Sequence, residues 1–154
     1  MSQKGFTLIE LMVTLAVLAV LLGLAAPNLV QLLRDNRAAT EINSFSGMFA
    51  YARREAVQRA QTTRLQGPLA ADGSWQVLRH ADALELQVFP ALSSYNVDPA
   101  GLKTVLFDSQ GQLISGAAVT FDLLVKDSEL NCATFNRTVV VELSGAASIR
   151  KRGC

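Results

Sequence analysis

Glu10 is the first residue in this 154-residue chain that demands a chemical explanation. From Phe6 to Ala26 it is the one charge in roughly 20 residues, a run long enough to cross the hydrocarbon core of a bilayer as a helix. A carboxylate near the start of such a helix costs several kcal/mol unless it is neutralised or paired, so it is a functional residue in search of a cation. The second group is Arg150-Lys151-Arg152 near the C-terminus, with no acid close by in sequence and with Arg137 able to add to the patch. Such a cluster could touch phosphates, in which case binding is weak, indifferent to sequence and steeply reduced by salt. His80 is the only histidine. Without a second histidine or a Cys or carboxylate grouping at ligand spacing, it offers neither a metal site nor a base for a nucleophile. There is no phosphate-cradling glycine loop and no Ser/His/Asp constellation, so no catalytic role, metal or cofactor is expected.

Two kinds of element must position these residues. Up to Pro27 the pattern is apolar all round; beyond it, Ile42, Phe45, Phe49, Ala52, Ala56 and Ala60 recur at spacings of three and four and form one face of an amphipathic helix. Arg53, Arg54, Glu55, Gln58 and Arg59 fall mostly elsewhere on the wheel and read as a solvated face. One helix is expected from the membrane to about Thr63, bent near Pro27. From there the period changes to two, predicting strands at Thr63 to Gln66, Ser74 to Arg79, Leu84 to Phe89, Lys103 to Phe107, Ala118 to Val125, Arg137 to Leu143 and Ser148 to Lys151. Asp72-Gly73, Asp98-Pro99 with Gly101, Asp108 to Gly111, and Gly145 supply turns, and Ala91 to Gly101 reads as a loop. The result is an α+β fold, a long N-terminal helix whose second half packs on an antiparallel β-sheet. Trp75 and Phe121, in alternating strands, are expected in the core rather than as stacking platforms.

Charge excludes a broad class of function. With 14 basic and 13 acidic residues there is no overall excess to attract nucleic acid, so any polyanion binding must come from local clustering. The mean hydropathy of +0.27 is high for a soluble chain, and the N-terminus accounts for much of it.

A secretory signal peptide would explain Lys4 followed by an apolar run, but not the carboxylate inside it, and Gly23-Leu24-Ala25-Ala26 leads straight into Pro27. A plain membrane anchor explains the length but neither Glu10 nor Gly5. Met1 to Glu10, MSQKG then FTLIE, resembles the class III signal of type IV prepilins and type II secretion pseudopilins: a short basic leader ending in Gly, then Phe, then Glu at the fifth mature position. The resemblance implies that a prepilin peptidase cuts between Gly5 and Phe6 and methylates the new amino group of Phe6. It also implies that Glu10 meets the Phe6 amine of a neighbouring subunit and sets axial register, and that Pro27 ends or kinks the spanning portion of the helix. Phe49 to Arg59, with its Ala-Arg-x-Glu-Ala stretch, is similar to the helix end of the FimT/GspH group of minor pilins and pseudopilins. Trp75, the Phe107-Asp108-x-x-Gly111 turn and Val139-Val140-Val141 extend that similarity over nearly the whole length. FimT-like minor pilins of competent bacteria carry a Gly-Arg-x-Arg stretch associated with DNA; here Arg150-x-Arg152 is present, but Ile149 stands where the motif has Gly.

The expected organisation is a leader over 1–5, a transmembrane helix over 6–27, an amphipathic helix half over 28–63 and a periplasmic β-rich domain over 64–154. Lys4 keeps the leader cytoplasmic by the positive-inside tendency, placing the chain beyond Ala26 on the outer side of the inner membrane. Thiols there tend to oxidise, so two and only two cysteines suggest one disulfide, Cys132 to Cys154, over a free thiol at a frayed end. The expected function is that of a pilus or pseudopilus structural subunit, priming or tipping the fibre. Its partners would be prepilin peptidase, other major and minor pilins or pseudopilins, and inner-membrane lipid. The alternative is a FimT-like subunit that binds double-stranded DNA for uptake through Arg150, Lys151, Arg152 and Arg137.

Overall fold

The structure, a computed structural model, describes residues 7–154 apart from the side chains of residues 24–27. Helix α1 runs Leu8–Arg59, and the chain divides into two compact units, the first reaching Asn36 and the second Arg37–Cys154. Over residues 8–22 the helix is apolar on every side but for Glu10 and Thr14, and Leu8, Ile9, Met12, Val17 and Leu22 are each more than half exposed. A soluble helix buries one stripe; one apolar all round needs lipid or protein about it.

The second unit is built on the face that the three-and-four spacing predicts. Ala38, Ile42, Phe45, Phe49, Ala52 and Ala56 are buried in one cluster. Ala60, expected on the same face, is exposed. The helix ends before it, at Arg59: Ala60 turns left-handed at φ 50°, its amide bonds to Val57 O at 3.2 Å and the Gln61 amide bonds to Ala56 O at 3.1 Å. That pair of hydrogen bonds closes the last helical turn, which is why α1 stops short of Thr63.

Eight strands come after the helix: β1 Thr63–Gly67, β2 Trp75–Arg79, β3 Glu85–Phe89, β4 Tyr95–Asp98, β5 Lys103–Phe107, β6 Val119–Val125, β7 Arg137–Val141 and β8 Ala147–Lys151, with a short helix α2, Cys132–Phe135, between β6 and β7. They form two four-stranded antiparallel sheets, ordered β3-β2-β1-β5 and β4-β6-β7-β8, where the alternation alone implies one. Period two identifies strands but carries no information on which strand starts a new sheet. The stretch 91–101 is not all loop. It contains β4, hidden by its four-residue length and by Ser93-Ser94 and Pro99 on either side.

The helix and both sheets meet in an aromatic knot. Phe45 of α1 stands edge-on to Trp75 of β2 at 5.2 Å between ring centroids, to Phe121 of β6 at 5.7 Å and to Phe49 at 5.3 Å. All four rings are within about 1 % of full burial. Edge-to-face packing adds roughly 0.5–1.5 kcal/mol per pair beyond area burial, so this cluster helps to hold the two sheets on one helix.

Candidate assembly segment and C-terminal basic strand

At the start of α1, Glu10 and Thr7 cap the helix reciprocally. The Thr7 amide and hydroxyl both donate to Glu10 Oε2 at 2.9 Å, and the Glu10 amide donates to Thr7 Oγ1 at 3.3 Å. This is the Thr-x-x-Glu capping box, which satisfies helix amides that have no partner within the helix. Its consequence is directional: the carboxylate is turned back over the first turn of the helix, onto Thr7. Gly5 and Phe6, the expected processing residues, lie outside the described residues. Thr14, the next polar side chain, donates to Leu11 O at 2.8 Å, so its hydroxyl makes no demand on lipid. At Pro27 the helix continues without a break.

On the outer half of α1, Arg53 has a job that a solvated face does not suggest. Its Nε donates to Gly111 O at 3.2 Å, clasping the Asp108–Gly111 turn. That turn is held from inside by Asp108 Oδ1, which accepts from the Gln110 and Gln112 amides at 2.9 and 2.8 Å. A Cβ on Gly111 would lie 2.9 Å from the Arg53 and Val57 side chains, and one on Gly145 would lie 2.0 Å from Gly111 O. Arg53 and two glycines from separate turns thus form one joint. Glu55 beside it is nearly buried and pairs with Arg59 at 2.7 Å, while Arg54 lies over the Tyr51 ring, 5.2 Å from its centroid. The turn residues were legible in sequence; their meeting on Arg53 was not, because 58 residues separate Arg53 from Gly111.

Of the C-terminal cations, Arg150 and Lys151 sit on β8, an edge strand, and Arg152 follows it. The β7–β8 register sets Arg150 opposite Thr138 and Lys151 opposite Arg137, so Arg150 lies on one face of the sheet while Lys151 and Arg137 share the other. Sheet pairing also brings in acids that are distant in sequence. Glu142 approaches Arg150 at 3.9 Å, and Asp122 of β6 pairs with Arg152. The Arg137 guanidinium donates to Thr134 O at 2.6 Å and to Asn136 O at 2.8 Å. The four cations are therefore divided between two faces, and two of them, Arg150 and Arg152, have a carboxylate beside them. Cys132, at the start of α2, is bonded to Cys154 with their Cα atoms 5.4 Å apart. Buried Asn136 secures the same region, donating to Gly153 O at 3.4 Å and accepting from the Val125 amide at 3.0 Å.

Comparison with known proteins adds identity to this geometry. The sequence pattern of the prokaryotic N-terminal methylation motif matches residues 1–26, and that of the family described as Type II transport protein GspH matches residues 41–145. No curated protein matches the sequence. Among solved structures, the type IV minor pilin FimU of Pseudomonas aeruginosa is similar in fold. In one crystal form the TM-score is 0.59 at 16 % identity, covering 77 % of this chain and 90 % of that one; in another it is 0.55 at 20 % identity, covering 73 % and 90 %. With the motif at its N-terminus, the family pattern over most of its length and a pilin fold, the chain belongs to the GspH family of minor pilins and pseudopilins.

Proposed function

We propose that this chain is a membrane-stored structural subunit, cut between Gly5 and Phe6 by a prepilin peptidase, methylated on Phe6, and built into a type IV pilus or type II secretion pseudopilus at its tip or during priming. Residues 1–5 act as the leader, 6–27 span the inner membrane, 28–63 are the amphipathic half of the helix, and 64–154 stand in the periplasm with the cysteines oxidised. One observation carries the reading: Glu10 sits on the first turn of a helix whose stretch 8–22 is exposed and, but for Glu10 and Thr14, apolar, and among the described residues its carboxylate is held by the Thr7 amide and hydroxyl. Two neutral donors offset some of the cost of a carboxylate in lipid, and an ammonium offsets more. In a fibre, the methylated Phe6 amine of a neighbour replaces Thr7 as the partner and fixes axial register. The test is Glu10→Leu in the host. The variant should insert in the membrane and be processed but fail to enter fibres; incorporation at the wild-type level would refute the register role, and mass spectrometry finding Met1 to Gly5 still attached would refute the processing.

The uptake alternative, DNA binding through Arg150, Lys151, Arg152 and Arg137, draws support from the exposure of Arg150, whose side chain is 68 % accessible. The pairing of Arg150 with Glu142 and of Arg152 with Asp122 weighs against it, because a phosphate must first displace a carboxylate. Retention of double-stranded DNA against salt, with and without Ala at 150, 151 and 152, decides: equal retention by both proteins excludes the cluster.

A further inference from the structure

Strand β8 ends its sheet with one side unpaired. The Arg152 amide bonds to Asn136 O at 3.1 Å and the Glu142 amide to Ala146 O at 2.9 Å, which fixes the phase of the antiparallel ladder. By alternation, Ser148 and Arg150 exchange hydrogen bonds with β7, while the amides and carbonyls of Ala147, Ile149 and Lys151 point outward. The other three edges are each blunted. A bulge interrupts β3 between Val77 and Leu78 of its partner, Pro99 follows the four-residue β4, and Leu113 and Ile114 cover the end of β5, the Ile114 amide bonding to Leu106 O at 3.0 Å. Beside the start of β8 runs an open groove of about 380 Å³ against α1, lined by the small residues Ser46, Ala50, Ala146 and Ala147 and by Arg53 and Arg54.

We propose that the free edge of β8 is a strand-addition site for an extended acidic segment of a different subunit, alternate side chains of which enter the groove. This rests on the reading that the chain works beside other pilins or pseudopilins. Backbone groups of Ala147, Ile149 and Lys151 supply the hydrogen bonds, and Ile149, 39 % exposed, supplies an apolar contact. Charge selects the occupant. Arg53 and Arg54 at one end and Lys151 at the other have no acidic partner among the described residues, so an acidic strand is drawn in. A second copy presenting the same β8 would set cations against cations and is repelled.

The edge can be tested separately from the fibre. Ile149→Pro deletes only an outward amide and leaves the β7 ladder intact, whereas Ile149→Thr retains the amide. Full-length protein in detergent micelles is titrated with a fluorescent peptide of about ten residues alternating Glu and Val, the same peptide N-methylated at alternate residues, and its Lys counterpart, read by anisotropy. The expected result is saturable binding of the Glu peptide alone, weakened about tenfold or more by Ile149→Pro and by the Arg54→Glu/Lys151→Glu pair but little by Ile149→Thr. Equal binding of the N-methylated peptide, or insensitivity to Ile149→Pro while near-ultraviolet circular dichroism shows the variant folded, overturns the proposal. So does an Ile149-dependent dimer of the protein itself, or binding of a double-stranded oligonucleotide in place of the peptide. A protein that fails here yet loses Met1 to Gly5 in the host remains a pilin without this site; one that binds the peptide but keeps its leader has the site and is no pilin.

Discussion

Gly145 has φ 77° and no room for a Cβ, which would fall 2.0 Å from Gly111 O and 3.1 Å from the Arg53 side chain. Gly145→Ala therefore has to push the two turns apart and disturb the Arg53 bond together, and chemical denaturation should show a loss of at least about 2 kcal/mol, the range for strain at a special backbone position. Tyr95 gives a pH prediction. Burial pushes its phenol up to about 12, with nearby Arg137 pulling the other way and Glu41 adding to the rise. The folded chain then keeps a proton that the unfolded chain releases near its ordinary value of about 10. The corresponding stability is present below about pH 10 and is lost as pH rises towards 12. Denaturation midpoints measured across that window should fall in the wild type and fall less steeply in Tyr95→Phe. Trp75 and Phe121 were readable as core from alternation alone, since burial of an aromatic is decided by which side of a strand it occupies. The role of Arg53 was not, because it is decided by a turn from a distant stretch of the chain.

At the level of elements, sequence periodicity predicted seven of the strands within a residue or two, because each has a side facing the core and a side facing out. It missed β4, where only Tyr95 and Val97 carry the pattern, and α2, a single turn capped by the Asn131 side chain accepting from the Thr134 amide at 3.3 Å. Strand β8 is the element with most to lose from a chemical change. Its end is pinned by the Cys132–Cys154 bond, which closes a separation of 22 residues and, in the chain-entropy account, contributes about 3 kcal/mol. Cys132→Ser/Cys154→Ser should lower stability by that order. It should also raise hydrogen exchange first at the Ser148, Arg150 and Arg152 amides, which face β7, ahead of those in β6 and β7. Uniform exchange across all three strands in the double variant would mean that the bond is not what holds the edge in place.

For the whole molecule, the physics of the two units differs. Every buried apolar side chain among the described residues, from Ala38 to Val141, belongs to the unit Arg37–Cys154, while in the unit reaching Asn36 the described large apolar side chains, from Leu8 to Leu33, are exposed. The second unit is also closed on itself by bonds from helix to sheets. Glu41 accepts from the Ser94 amide at 2.9 Å and from Ser93 Oγ, Thr63 Oγ1 donates to Ala52 O at 2.8 Å, and Arg53 holds Gly111. At 118 residues it is within the range in which a single domain buries enough surface to fold alone. A protein beginning at Arg37 should therefore be monomeric without detergent and unfold in one cooperative step. Its disulfide should be intact, and its near-ultraviolet signal from Trp75 should match that of the full chain. Residues 7–36 alone should partition into lipid vesicles as helix and show no cooperative melting, because no described apolar side chain of that stretch is buried. A molten, dye-binding product from residues 37–154 would show that the apolar segment is needed to complete the fold, and the self-sufficiency of the second unit would fail.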